Sequence, residues 1–255
     1  IIFIVMGGVV CRLSVIFCCS GCQPSLVASM LAFHPPDPSY KFVLNEETKE
    51  YEVILLEEFE CNVSSFAIKA DLVSTATGTK IPAICIKVAD AKKTLLYSHG
   101  NATDIGAMFI FFVAVSRVLQ CNVVAYDYTG YGASEGGNTT DKQIYKDIDA
   151  VYGWAVDYLA LNAKEDLFVY GQSVGSGPSC YIASKREVAG LVLHSPILSG
   201  LRVITPNRFL GCFDIFPNLD RIKEVSCPVY IIHGEVVSMY ICICVCLYFI
   251  LLNYR

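Results

Sequence analysis

The chain has 255 residues, enough for one large α/β domain or a domain with short extensions. Its net charge of -5 gives no support for nucleic-acid binding. Charged residues make up only 17 % of the chain and the mean hydropathy is +0.50, high for a soluble enzyme. That excess sits at the two ends, which therefore need an explanation separate from the middle.

From the N-terminus, Ile1 to Val5 precede the first methionine, Met6, so the chain reads as a fragment or an over-extended reading. Cys11, Cys18, Cys19 and Cys22 then cluster beside Val15, Ile16 and Phe17. Clustered cysteines beside apolar residues suit multiple S-acylation, and several acyl chains anchor stably where one would not. A signal peptide or signal anchor is the alternative, weakened by the lack of basic residues before the apolar run. No metal is expected, because Cys18, Cys19 and Cys22 lack a second ligand cluster, and no cofactor is implied. Six further cysteines are scattered through apolar strand-like runs, as reduced core thiols would be.

Pro35-Pro36-Asp37-Pro38 is a stiff linker, so residues 1–39 form an anchoring segment and the domain is expected over 40–234. Val53 to Glu60 and Val63 to Asp71 are predicted strands of a starting antiparallel hairpin, with Ile81 to Val88 another strand. Thr94 to Ser98, Asn122 to Tyr126, Leu167 to Tyr170, Gly190 to His194 and Val229 to Ile232 are short apolar strands. Ile105 to Leu119 and Asp141 to Ala160 carry helical spacing, and a further helix is expected through Ile182 and Ala183. Strands alternating with helices at this spacing predict an α/β fold with a mostly parallel central sheet and flanking helices. The segment from Ser199 to Ile222 is looser and is expected to form part of a lid.

Two motifs carry chemistry. Gly171-Gln172-Ser173-Val174-Gly175 follows directly on a buried strand and runs into a helix. A nucleophilic serine on such a strand-to-helix turn has a strained backbone, which is why glycine stands two residues before and two after. The turn lifts the hydroxyl over the sheet edge and aims the next N–H at the same spot. Without its chemistry, the stretch would be the glycine-rich turn of a nucleotide-binding fold. That alternative is weak, because a dinucleotide fingerprint belongs in the first βα unit. His99-Gly100-Asn101 supplies the second half of an oxyanion hole, so Asn101 and Val174 are the expected backbone N–H donors. Asp127 at a strand end suits a fold-stabilising turn, and His194 and His233 read as supporting residues. Asn62, Asn101 and Asn138 match glycosylation sequons, which are frequent by chance.

Tyr97-Ser-His-Gly-Asn-Ala-Thr-Asp104, Tyr126-Asp-Tyr-Thr-Gly-Tyr-Gly-Ala-Ser134 and Tyr170-Gly-Gln-Ser-Val-Gly175 together resemble the α/β-hydrolase-domain-containing family seventeen. So do His194-Ser-Pro196, Cys212-Phe-Asp-Ile-Phe-Pro-Asn218, Pro228-Val-Tyr-Ile-Ile-His-Gly234 and the N-terminal cysteines with Leu31-Ala-Phe-His-Pro-Pro36. The resemblance spans roughly Met6 to Gly234. It implies an α/β-hydrolase fold and a serine hydrolase that cleaves palmitoyl thioesters from S-palmitoylated membrane proteins, with Ser173 as nucleophile. It further implies peripheral attachment, through the acylated cysteines, to the cytoplasmic face of plasma and endosomal membranes.

The C-terminal part departs from that family. Val237 stands where the family places its triad aspartate, and no histidine follows His233, although the family's catalytic histidine lies in a later segment. The final strand and helix of the fold are therefore expected to be missing, and the chain to be inactive as it stands. The apolar stretch 235–255 reads as a translated intron, a short transmembrane segment, or a strand and helix completing the sheet. A non-catalytic membrane-associated binder of acylated proteins, or a truncated product, is the rival functional expectation.

Overall fold

The computed structural model describes residue 29 and residues 32–56, 66–199 and 215–234. Cys11, Cys18, Cys19, Cys22, most of the expected lid and the stretch 235–255 with Val237 lie outside the described residues.

The first four strands are β1 (Tyr40–Leu44), β2 (Tyr51–Leu55), β3 (Ala67–Ser74) and β4 (Lys80–Lys87). β5 (Thr94–Ser98), β6 (Asn122–Tyr126), β7 (Leu167–Gln172), β8 (Gly190–His194) and β9 (Val229–Ile232) follow. They make one sheet in the order β1-β2-β3-β4-β6-β5-β7-β8-β9. Strands β5 to β9 run parallel to their neighbours among themselves, whereas the links from β1 through to β4, and from β4 to β6, are antiparallel. Apolar runs without alternation fit the middle of such a sheet, and every residue of β5 and β6 is buried.

The strands expected at 53–60 and 63–71 are displaced in the structure. The starting hairpin joins β1 to β2, and β2 meets β3 only at Tyr51 opposite Ala70. Turn chemistry decides this. The Asn45 side chain accepts hydrogen bonds from the Glu47 and Thr48 amides at 3.0 and 3.1 Å, and Lys49 takes φ 59°. That asparagine-led turn closes the chain between Leu44 and Tyr51, well ahead of the turn at residues 61–62 that hydropathy alone suggests.

Helix α1 (Ile105–Leu119) covers one face of the sheet. On the other face lie α2 (Asp141–Leu159) and α4 (Ser176–Lys185), with the single turns α3 (Ala163–Asp166) and α5 (Asn218–Arg221) at the periphery. Asp104 caps α1 by accepting from the Ala107 amide at 2.9 Å, and Thr140 caps α2 by accepting from the Gln143 amide at 3.1 Å. Each face has its own core. Leu96, Val169, Leu191 and Ile148 belong to the α2/α4 side, while Tyr97, Ile84, Phe109 and Phe112 belong to the α1 side. The described cysteines, Cys85, Cys121, Cys180 and Cys227, are unpaired, and burial pushes the Cys85 and Cys180 thiols up to about 12.

Ahead of β1, the chain already packs on this unit. Phe33 is 5 % exposed and meets Phe216 edge-on, ring centroids 5.8 Å apart. Ser39 donates from its amide to Asp104 at 2.7 Å and from its hydroxyl to the same carboxylate.

Candidate active site

The pentapeptide falls where β7 turns into α4. Ser173 has φ 51°, a left-handed conformation that costs a residue with a Cβ on the order of 1 kcal/mol. Both flanking glycines are demanded by space rather than by their own φ. A Cβ on Gly171 would lie 2.6 Å from the Gly175 carbonyl oxygen and 2.6 Å from Ser179 Oγ. A Cβ on Gly175 would lie 2.6 Å from the His99 carbonyl oxygen. The elbow therefore seats its backbone directly on the backbone that leaves β5. Val174 is 7 % exposed, and a short 3-10 turn from Ser173 to Gly175 leads into the helix.

Strand register places the second motif beside the first. Ser98 pairs with Gly171 in the parallel β5–β7 ladder, so His99-Gly100-Asn101 and Gln172-Ser173 leave the sheet side by side. A Cβ on Gly100 would sit 3.9 Å from Gln172 Cδ and from its carbonyl oxygen. The structure thus brings the turn carrying Asn101 next to the elbow carrying Ser173 and Val174.

The turn after β5 is held by polar side chains. His99 is 1 % exposed, and its ring lies against Tyr128 with centroids 4.2 Å apart. Its Nδ1 lies 2.7 Å from the Gly100 carbonyl and its Nε2 3.3 Å from Asp127 Oδ1. Asp127 also accepts from the Tyr40 hydroxyl at 2.5 Å and from the Ile105 amide at 2.9 Å. Burial pushes the Asp127 carboxyl above the usual carboxylate range, with His99 and the Tyr40 hydroxyl opposing that rise. Asp127 thus ties the start of α1, strand β1 and the β5 turn together, the fold-stabilising role its strand-end position suggested. The Asn101 side chain is held as firmly. Its Nδ2 donates to the Ala32 carbonyl at 2.7 Å, and its Oδ1 accepts from the Tyr131 hydroxyl at 2.7 Å.

The chain's four histidines are His34, His99, His194 and His233. Among the described residues none of them forms a hydrogen bond with the Ser173 hydroxyl. His99 is buried away from solvent, and His194 Nδ1 lies 2.9 Å from the Tyr170 hydroxyl. His233 Nδ1 lies 3.1 Å from the Gly234 carbonyl, and its Nε2 is buried without a hydrogen-bond partner among the described residues. His194 stands opposite Gln172 in the β7–β8 register, one strand over from the elbow.

Several supporting residues escaped the sequence reading. Ser176 Oγ donates to the Ser173 carbonyl at 2.6 Å and accepts from the Ile197 amide and from Asn218 Nδ2. Tyr97 donates its hydroxyl to Gln172 Oε1 at 2.7 Å while stacking on Tyr170 at 4.6 Å. Tyr131 lay inside a recognised glycine-rich motif, but nothing local marks its hydroxyl as the partner of Asn101, thirty residues earlier. Among the described residues no group of three metal-ligating side chains converges.

Known proteins agree with this architecture. The family described as "Serine aminopeptidase, S33" matches residues 89–218, which hold both motifs. The Pyrococcus furiosus esterase Pf2001 superposes with a TM-score of 0.57 at 21 % identity, covering 82 % of this chain and 81 % of that one, a likeness of fold. Human alpha/beta hydrolase domain-containing protein 17B is 40 % identical over 233 residues, covering 88 % of this chain and 78 % of its own. Mouse alpha/beta hydrolase domain-containing protein 17C is 34 % identical over 249 residues, covering 86 % and 77 %. The nucleophile elbow, the strand order and these relatives agree, and the chain belongs to the alpha/beta hydrolase domain-containing 17 family of α/β-hydrolases.

Proposed function

We propose that this hydrolase acts on palmitoyl thioesters of S-acylated membrane proteins, with Ser173 as its nucleophile. The observation that carries the reading is the elbow: a serine at φ 51° between two glycines that no other residue fits. In this scheme Ser173 Oγ attacks the acyl carbonyl carbon and its proton passes to the departing sulfur as the C–S bond breaks. The oxyanion is held by the Asn101 and Val174 backbone N–H groups. Water then cleaves the acyl-serine ester, releasing the fatty acid and restoring the hydroxyl.

The cluster Cys11, Cys18, Cys19 and Cys22 beside Val15, Ile16 and Phe17 suits S-acylation, and it supports the choice of a membrane-bound substrate. From Cys22 to Ala32 the chain can reach at most about 35 Å, so an acyl anchor at Cys22 would hold Ala32, which the Asn101 side chain contacts, within that distance of the bilayer.

A fluorophosphonate probe tests this on the full chain beside Ser173→Ala. The expected result under this proposal is labelling that Ser173→Ala abolishes, together with release of thiol from a palmitoyl thioester. Binding of an S-palmitoyl peptide with no labelling above the Ser173→Ala background would instead make the chain a non-catalytic acyl-protein binder.

A further inference from the structure

One side chain beside the elbow has more partners than a turn residue requires. Besides its bonds to Ala32 and Tyr131, Asn101 Oδ1 accepts from the His34 amide at 3.0 Å and from the Ala102 amide at 3.1 Å. Ala102 itself is held at φ 52°. A single amide group thus joins the turn after β5, the loop after β6 and the strap of residues 32–34 that precedes the domain. The strap touches the other wall of the site as well. Phe33 packs on Phe216, and Phe216 fills the space where Gly177 of α4 has no side chain, a Cβ there lying 2.5 Å from its Cγ. The Phe33 amide closes a local turn on the Ser29 carbonyl at 2.9 Å.

We propose that residues 32–34 are a strut that fixes the spacing between the Asn101 turn and the Ser173 elbow. Asn101 is its positioning residue through its side chain, independently of its backbone N–H. The catalytic half of this inference rests on the hydrolase reading given above; the mechanical half does not. The strut lies between the cysteines at 11–22 and the site.

Hydrogen exchange on the full chain decides the mechanical half. His34→Pro deletes the donated N–H while leaving Asn101 intact, and His34→Ala deletes the imidazole but keeps the N–H. His34→Pro is expected to speed exchange at residues 101–104 about fivefold to tenfold, the worth of one hydrogen bond, and His34→Ala to leave it unchanged. Faster exchange confined to residues 29–36, with 101–104 as in the parent, overturns the strut. If His34→Pro does not fold, Tyr131→Phe decides. Residues 29–36 and 101–104 should then speed together, and a change confined to the loop around Tyr131 overturns the idea. Where Ser173 labels, His34→Pro should lower the maximal labelling rate without weakening probe binding, and the reverse pattern overturns the positioning role. If the parent does not label at all, the hydrolase reading fails and exchange still judges the strut.

Discussion

The two turns that meet at Ser173 are built by opposite means. The elbow after β7 is made by removing atoms: Gly171 and Gly175 leave room for carbonyls that would otherwise collide with a side chain. The turn after β5 is made by adding partners: His99 to Asp127, and Asn101 to Ala32, His34 and Tyr131. Steric exclusion is local and unforgiving. Polar wiring reaches across the chain and yields by degrees, one hydrogen bond at a time.

The largest expected effect falls on the excluded-volume turn. Gly175→Ala forces a Cβ against the backbone leaving β5, which no rotamer change relieves, so more than about 3 kcal/mol of stability should be lost. Chemical denaturation of that variant checks it, and a loss under 1 kcal/mol would mean the elbow is not sterically closed. On the wired side, Asp127→Ala strands the Tyr40 hydroxyl, the Ile105 amide and His99 in a dry interior. A loss of about 3 kcal/mol is expected in the same assay.

A third turn, after β6, tests whether wiring carries a pH signature that exclusion lacks. The Thr129 amide donates to Asp147 at 2.8 Å, and the Thr129 hydroxyl and Gln143 add bonds at 2.9 and 3.0 Å. Burial nevertheless outweighs them and pushes the Asp147 carboxyl up to about 6. An acid whose folded value lies above its unfolded value near 4 binds its proton more tightly when folded. Its contribution is therefore full below about pH 4 and is lost as pH rises through about 6, a change of up to about 3 kcal/mol. Urea titrations from pH 4 to 7 should show this slope, and Asp147→Asn should remove it. The smallest effect has the opposite sign. Ser173→Gly relieves a left-handed backbone and should raise stability by up to about 1 kcal/mol, measured as a shift in thermal midpoint.

This contrast also explains what could be read from the residues alone. Six strands and the helices Ile105–Leu119 and Asp141–Leu159 were legible, because buried runs such as Thr94 to Ser98 and a 3.6-residue period write themselves into adjacent positions. The elbow was legible for the same reason: its constraint acts within five residues. Strand β1 was not, since Tyr40 to Leu44 gains its place through the asparagine turn and the Tyr40–Asp127 bond, 87 residues apart. The Asn101 turn could be placed at a strand end, but its side-chain partners lie 30, 67 and 69 positions away. No window of sequence displays a contact of that span. For the same reason Pro35 to Pro38 read as a plain linker, although Phe33 just before it is buried in the core.

The strand order carries a consequence for the growing chain. β4 and β5 have no common neighbour until β6 is made and slips between them, so the centre of the sheet closes only when residue 126 has emerged. From then on β7, β8 and β9 each find an edge already made when they emerge, because each pairs with a strand that precedes it in the chain. A topology of this kind leaves one unpaired strand edge on the parallel side at each stage of synthesis.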